Sequence, residues 1–97
     1  MKAKNLRSPL DGIRILDLST VIAAPFGATL LGDFGAEVIK VEMPDVGDPL
    51  RNLGPYYNGE GLRWPGLARN KKSLTLDLRQ EEGKEILRQL VSKSDMV

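Results

Sequence analysis

The fold is decided by residues 13–42, which read IRILDLSTVIAAPFGATLLGDFGAEVIKVE. Residues 13–18 are rich in branched apolar side chains and follow an Asp-Gly turn signal, a pattern typical of a buried strand. Pro25 suits the first turn of a helix, because its missing N–H is not needed there. The segment therefore predicts a strand that is followed directly by a helix.

The predicted helix runs to about Phe34, and Gly35 suits the left-handed position that follows a helix. Phe26, Leu30 and Phe34 are spaced four residues apart, which marks them as its apolar face. The helix also contains two glycines, each of which weakens it by up to about 1 kcal/mol relative to Ala. We therefore expect either close packing on a sheet or close approach of the backbone to a ligand.

Residues 37–42 have the apolar content of a second strand. A strand, a helix and a strand in this spacing predict a βαβ unit with parallel strands and a right-handed crossover. Residues 43–70 hold four Pro and five Gly and predict a long loop. A loop of that length in a compact domain is usually functional or covered by a partner, so this one is interpreted as a flap over a substrate or as a contact with another subunit.

The remaining elements follow from periodicity. Ser73–Leu78 alternates strictly and predicts a third strand with its three leucines on one face. Residues 80–93 predict an amphipathic helix with acidic residues in its first turn. Asp95–Val97 has the pattern of a further strand entry. Because a parallel strand that is cut at its start leaves an unpaired edge, we expect residues 1–97 to be the N-terminal part of a longer α/β protein.

Composition excludes several classes of function. The chain has 97 residues, with 14 Lys and Arg against 13 Asp and Glu, and neither His nor Cys. A net charge of +1 argues against a nucleic-acid partner bound by a broad basic face. The missing residue types exclude a disulfide framework, a thiolate zinc site and an imidazole base supplied by this chain. No apolar run approaches a membrane span, and the basic start is followed by polar residues, so we expect a cytoplasmic protein.

Three sites stand out from the residues alone. Ser19–Pro25 follows the first strand, where open α/β sheets bind ligands at helix N-termini, although core packing is the alternative that the pattern favours. It lacks the G-x-G-x-x-G fingerprint, so Glu42 is a weak candidate for the acidic ribose ligand of an NAD fold. The three cations within residues 69–72 are interpreted either as phosphate ligands or as a solvated basic turn. Arg79 ends the third strand and either binds a ligand or pairs with a following glutamate.

Taken together, the segments resemble the N-terminal region of the class III CoA-transferases, the family of formyl-CoA transferase, carnitine CoA-transferase and alpha-methylacyl-CoA racemase. Any single run is weak evidence, but their order and spacing are specific and cover nearly the whole chain. The runs are PLDGIRILDLS at Pro9–Ser19, AAP at Ala23–Pro25, LLGDFGAEVIKVE at Leu30–Glu42, GDPLR at Gly47–Arg51, NKKSLTLDLR at Asn70–Arg79, EG at Glu82–Gly83 and DMV at Asp95–Val97.

The resemblance implies a fold and a chemistry. The fold is α/β, with Rossmann-like parallel βαβ units that form an incomplete part of a larger domain, in subunits that interlock as a homodimer. The substrates are an acyl-CoA and a carboxylic acid acceptor, with coenzyme A as the group transferred and no metal. An aspartate attacks the thioester and later carries CoA as an aspartyl thioester. That aspartate matches no position of this chain, so we expect no catalytic residue here.

The resemblance also implies part of a CoA site. Val21, Ile22 and Ala23 match the segment that flanks the thioester and the pantetheine, and Leu76 matches a position that lines the adenine pocket. Arg79 stands where a lysine near the phosphates is usual, and either cation can meet phosphate.

Two positions depart from the family pattern. Met43 replaces an arginine that often contacts CoA, which either weakens the phosphate contact or moves it to another cation such as Lys40, Arg51 or Lys71. Ile22 replaces a polar residue of formyl-CoA transferase, which argues against oxalate and formate and for a bulkier or more apolar acyl group.

We therefore predict the CoA-binding portion of an acyl-CoA transferase. A racemase of the same family shares these motifs and remains an alternative, as does a nucleotide-binding module without chemistry. Residues 1–97 form one domain portion in this interpretation, with residues 43–70 as its long loop.

Overall fold

The computed structural model describes residues 7–97, so the interpretation of the basic start lies partly outside the described residues. It is an α/β structure in which a parallel sheet carries the other elements. In chain order these are β1 (Arg14–Asp17), α1 (Ala23–Asp33), β2 (Glu37–Glu42), a 3-10 turn (Pro49–Asn52), β3 (Tyr56–Tyr57), β4 (Glu60–Gly61), α2 (Arg63–Leu67), β5 (Lys71–Thr75) and α3 (Glu81–Ser92).

The main sheet has the order β1-β2-β5, and both pairings are parallel. On the free side of β1, Met96 forms a parallel bridge to Ile15, and the Leu16 N–H donates to the Met96 carbonyl at 2.9 Å. The predicted strand entry at Asp95–Val97 is therefore confirmed as a fourth neighbour in the sheet. All of these segments are parallel, and the chain adds β2 and β5 on one side of β1 and Met96 on the other, which is the arrangement of doubly wound α/β folds.

The βαβ unit is confirmed at nearly every boundary. β2 has the predicted bounds, and Pro25 lies in the first turn of α1. After the helix, Gly35 has a φ of 107°. Its N–H donates to the Gly32 carbonyl at 3.0 Å, and the Ala36 N–H donates to the Leu31 carbonyl at 3.3 Å. This pair of bonds is the Schellman ending, which a glycine permits because it has no Cβ.

The predicted apolar face of α1 is wrong. Phe26, Leu30 and Phe34 are 38%, 41% and 57% exposed, whereas the buried residues of the helix include Thr29 and Gly32. The reason is distance, because a Cβ at Gly32 would lie only 3.3 Å from Val38 Cγ2. Small residues thus let the helix approach the sheet closely, and the bulkier ones are left on its outer side.

The core lies between α1 and the sheet. Ile15, Ala36 and Val38 are each no more than 4% exposed and form its centre. Leu10, Ile13, Ala28 and Leu31 pack around them. On the opposite face of the sheet, Leu16, Val41 and Leu76 are also buried, as the alternation of side chains along strands requires.

The third strand differs from its prediction in its bounds. β5 begins at Lys71, two residues before the predicted start, and ends at Thr75, three residues before the predicted end. Leu76 still donates its N–H to the Glu42 carbonyl at 2.9 Å, after which the Gln80 N–H bonds the Asp77 carbonyl and closes a turn. The sequence does not predict the start at Lys71, because strand prediction relies on apolar alternation and a lysine is expected at the surface, whereas Lys71 is buried against Asp17.

Residues 43–70 were predicted as one long loop, and the structure shows local order instead. The 3-10 turn is followed by the two-stranded hairpin of β3 and β4 and then by α2. Gly61 lies against the turn, since a Cβ there would approach the Arg51 and Leu53 carbonyl oxygens to 2.7 and 2.8 Å. Tyr56 and Tyr57 stay exposed on the hairpin.

Helix α3 agrees with the predicted helix to within one residue at each end. Ile86 and Val91 of its apolar stripe are 46% and 41% exposed, while Leu87 and Leu90 are half-buried. Near its start, Gly83 touches the preceding turn so closely that a Cβ would lie 2.0 Å from the Asp77 carbonyl oxygen. Among the helices within residues 7–97, none has the length and apolar character needed to cross a membrane.

Candidate functional site

The carboxyl ends of the parallel strands carry a buried group of charged side chains. Asp17 ends β1, and Lys40 and Glu42 lie at the end of β2 on the same face of the sheet. All three residues are no more than 6% exposed. Charges at such depth are stable only when they are paired and hydrogen-bonded, and each of these three has such partners.

Asp17 is held by a lysine from β5, which lies on the far side of β2. Lys71 Nζ lies 2.7 Å from Asp17 Oδ2 and donates to the Pro25 carbonyl, also at 2.7 Å. The Ser19 N–H and hydroxyl both donate to Asp17 Oδ1. Burial alone would raise the pKa of Asp17, but the bonds from Lys71 and Ser19 and the nearby Lys40 outweigh it and leave the pKa below its usual value. The carboxylate is therefore ionised at neutral pH.

Lys40 connects this pair to the loop that follows β2. Its ammonium lies 2.8 Å from Asp48 Oδ2 and 3.6 Å from Asp17 Oδ2, and it donates to the Ser19 carbonyl at 3.0 Å. The other oxygen of Asp48 accepts the N–H groups of Leu50 and Val21, both at 2.9 Å. Burial would raise the pKa of Asp48, and these donors reverse that effect and lower it.

Glu42 forms the outer end of the network. Arg51 donates Nε to Glu42 Oε2 at 2.7 Å and Nη2 to Oε1 at 2.8 Å, and its guanidinium stacks on Trp64 at 3.9 Å from the ring centre. The Asp48 N–H and the Ser73 hydroxyl also donate to Glu42. The Arg51 hydrogen bonds prevail over burial and lower the pKa of Glu42 to about 2. The loop is thereby fastened to the sheet edge by a two-bond ion pair.

The network fixes the turn between β1 and α1. Two N–H groups of the turn donate to the carboxylates of Asp17 and Asp48, and two of its carbonyls accept from Lys40 and Lys71. Val21 within the turn has a φ of 68°. Among residues 7–97 no side chain caps the start of α1, and the first turn of the helix has no acidic residue. The first N–H groups of a helix have no intrahelical acceptor and lie at its positive end, so this turn is suited to a ligand oxygen.

A small cleft lies beside the turn between β1 and α1. It encloses about 180 Å³ and is lined by both Met43 and Leu76, two positions that the family resemblance implies for the CoA site. Its polar rim comes from the same turn and from the anchored loop. The lining residues are Leu18, Ser19, Thr20, Val41, Glu42, Met43, Gly47, Asp48, Leu76 and Leu78.

The other predicted site residues lie apart from this cleft. Ile22 is 40% exposed at the start of α1, with Val21 and Ala23 beside it, and none of the three lines the cleft. Arg79 is on the surface, where it pairs with Asp77 rather than with the glutamates expected from the sequence. That pairing raises the pKa of the Arg79 guanidinium.

The basic residues have different roles from those that the sequence suggests. Lys40 and Lys71 are buried in ion pairs, with side chains 2% and 3% exposed, so a phosphate cannot reach them in place of the arginine that Met43 replaces. Arg69 and Lys72 agree with the solvated alternative, because both are exposed and form surface pairs, Arg69 with Asp33 and Lys72 with Glu37. The oxygens of Glu42 are occupied, which removes it as a ribose ligand.

Sequence reasoning missed the network that organises the site. One signal was present, since Lys40 lies at an inward position of an otherwise apolar strand, two residues after buried Val38. An inward lysine indicates a buried acidic partner, but its identity depends on tertiary structure. Across residues 7–97 we find no group of three or more acidic, His or Cys side chains arranged to hold a metal ion.

Comparison with known proteins agrees with the geometry. A family model described as CoA-transferase family III matches residues 10–97. The chain is 52% identical over 98 residues to a succinyl-CoA–D-citramalate CoA-transferase of Chloroflexus aurantiacus, which covers 100% of this chain and 24% of that protein. It is 45% identical to a succinyl-CoA:glutarate CoA-transferase of Mus musculus, over 91% of this chain and 20% of that protein.

Solved structures give the same result. A CAIB/BAIF family protein from Brucella suis superposes with a TM-score of 0.82 at 39% identity, over 92% of this chain and 25% of that one. The protein Rv3272 from Mycobacterium tuberculosis superposes with a TM-score of 0.81 at 39% identity, over 91% of this chain and 24% of that one. The chain spans about a quarter of the length of these relatives.

Proposed function

The chain belongs to CoA-transferase family III, and on this premise we propose that it is the acyl-CoA-binding part of an enzyme that moves CoA from an acyl-CoA to a carboxylic acid. The single observation that carries the proposal is the turn before α1. Its backbone is fixed by four buried charged side chains and leaves the start of the helix uncapped.

The proposed binding mode uses two ends of the ligand. The thioester and the pantetheine lie against Val21, Ile22 and Ala23, where helix N–H groups can donate to a carbonyl oxygen. The adenine end lies in the cleft at Met43 and Leu76, whose apolar side chains suit a flat ring. Arg79 is exposed and carries its charge at the surface beyond that cleft, which suits contact with a phosphate once its bond to Asp77 opens.

The chemistry requires a carboxylate that this chain does not supply. In the proposed reaction, an aspartate outside the chain attacks the thioester carbonyl, which forms a mixed anhydride and releases CoA as a thiolate. The thiolate then attacks the aspartyl side of the anhydride, giving an aspartyl thioester and the free acid. An acceptor carboxylate repeats these steps in reverse and leaves with CoA.

Four of the seven aspartates are held in ion pairs, which supports a nucleophile from outside the chain. Asp17 and Asp48 are buried and paired with lysines, so they cannot reach a substrate. Asp33 and Asp77 form surface pairs with arginines away from the turn. The role of the chain in this reaction is to bind and orient the acyl-CoA.

The substrates are proposed from the relatives and from the turn. Two relatives are named as succinyl-CoA transferases with citramalate and glutarate as acceptors. We propose succinyl-CoA as donor and a dicarboxylic acid larger than oxalate as acceptor, because Ile22 offers an apolar contact at the turn. A cytoplasmic location and an interlocked homodimer are further parts of this proposal.

The test is a transfer assay on the complete protein that carries this chain. Purified enzyme is incubated with succinyl-CoA and citramalate, malate or glutarate, and the CoA thioesters are identified by mass spectrometry. We expect a new acceptor thioester and an equal loss of succinyl-CoA. Exchange of the α-proton of the acyl group without transfer would instead indicate a racemase, and binding of CoA without either reaction would indicate a binding module.

A further inference from the structure

Val21 adopts a backbone conformation that its side chain disfavours. Its φ is 68°, in the left-handed region that β-branched residues rarely enter because the Cβ crowds the backbone. The turn therefore needs an interaction from elsewhere to hold this residue in place. Such conformations persist only where the surroundings enforce them, and they are common at functional sites.

The interaction comes from Asp48. Its Oδ1 accepts the Val21 N–H at 2.9 Å, across 27 positions of sequence. The side chain of Asp48 is only 1% exposed. This hydrogen bond connects the backbone of Val21 directly to the loop that follows β2.

Asp48 is itself held on three sides. Lys40 Nζ lies 2.8 Å from Oδ2, the Leu50 N–H donates to Oδ1, and the Asp48 N–H donates to Glu42 Oε2 at 2.8 Å. A carboxylate fixed in this way cannot easily move, so its position determines where the Val21 N–H lies.

We propose that Asp48 is a positioning residue for acyl-CoA, and that it acts by holding Val21 in the left-handed conformation. This inference rests on the proposed function. Val21 immediately precedes Ile22, the N-cap residue of α1. The φ of Val21 therefore sets the direction in which the chain enters the helix. A change at Val21 would therefore displace the N–H groups that are proposed to face the thioester. Asp48 also borders the cleft beside the turn, and comparison with the Val21→Gly background separates its effect through Val21 from any contact with the ligand.

The test compares Asp48→Ala in two backgrounds of the complete enzyme, with succinyl-CoA as the varied substrate. In the wild-type background we expect the KM to rise about tenfold, the size expected when a left-handed residue with a Cβ loses its support, with kcat changed less. In the Val21→Gly background we expect the same substitution to raise KM less than about threefold, because glycine enters this region without strain.

A purely structural role would give a different pattern. KM does not depend on how much of the enzyme is folded, so lost stability alone would lower the measured rate without this dependence on Val21. Asp48→Asn provides a second separation, since its amide oxygen can still accept the Val21 N–H while the ion pair with Lys40 is lost. We expect lower stability in urea but a KM near that of the wild type.

The control is Glu60→Ala, which removes an exposed acid from the same loop and should leave KM unchanged. If Asp48→Ala does not fold, Asp48→Ser replaces it, because serine retains a cap for the 3-10 turn. An unchanged KM in the wild-type background, or an equal rise in both backgrounds, would overturn the inference. Absence of transfer in the wild-type enzyme would refute the proposed function instead.

Discussion

Lys40→Met removes the central charge of the buried network with little change in side-chain volume. The ammonium has contacts with Asp48 Oδ2 at 2.8 Å, the Ser19 carbonyl at 3.0 Å and Asp17 Oδ2 at 3.6 Å. After the substitution, Asp17 keeps Lys71 as its partner. Asp48 is left as a buried carboxylate without a counter-ion.

The expected loss of stability is large. Removing one partner of a buried ion pair costs about 3–5 kcal/mol, because the remaining charge stays uncompensated. The unsatisfied Ser19 carbonyl contributes in the same direction, but the two effects share one side chain and are not summed. Domains are stable by about 5–15 kcal/mol in total, so we expect a folded but markedly weakened protein.

The assay is urea denaturation at pH 7, followed by circular dichroism and by the fluorescence of Trp64, the one tryptophan of the chain. Lys72→Met is the matched control on the adjacent strand. Its side chain is 70% exposed and pairs with Glu37 at 2.5 Å, and exposed pairs contribute about 0–1 kcal/mol. Equal losses in the two variants would refute the reasoning that burial makes the Lys40 pair different.

Three further predictions concern Glu42, Arg79 and the glycines of the two longest helices. Because the pKa of Glu42 is lowered to about 2 from a usual value of 4.5, its contribution to stability should be complete above pH 4.5 and disappear as the pH falls towards 2; an acid titration followed by Trp64 fluorescence checks this. Glu42→Gln should flatten that transition, and an unaltered acid curve would contradict it. Arg79→Ala should raise the KM for acyl-CoA several-fold and leave kcat less affected, as measured by initial rates. Gly83→Ala should lower the free energy of unfolding, measured in urea, by at least about 2 kcal/mol, because the new Cβ would collide with the backbone of Asp77. Gly27→Ala should raise the same free energy by up to about 1 kcal/mol, because its Cβ would have no atom within 4 Å.

Much of the fold follows from local patterns. The bounds of β2 and the ending of α1 at Gly35 depend on short-range features, namely branched apolar residues and a glycine after a helix. The buried face of α1 does not, because it depends on how closely the helix approaches the sheet. Gly32 permits an approach that leaves Phe26 and Leu30 outside, and periodicity alone assigns large apolar residues to the core.

The site was predictable in part. The residues alone offer the turn at Ser19–Pro25 only as an alternative to core packing, and Met43 and Leu76 follow from the family resemblance rather than from periodicity. The last two residues line one cleft. The sequence does not indicate which charges pair. Lys71 was interpreted as a basic turn residue, yet its ammonium is buried against Asp17, 54 positions away in the sequence. Long-range ion pairs leave no periodic signal, so they emerge only when the sheet is assembled.

Hydrogen exchange of the complete enzyme with and without CoA tests the central claim most directly. The account predicts that CoA slows exchange of backbone amides at residues 19–24 and 76–79, where the turn and the cleft are proposed to hold the two ends of the ligand. Exposed amides of the β3–β4 hairpin should exchange at the same rate in both states. Protection confined to segments outside residues 1–97 would contradict the claim that this chain forms the CoA site.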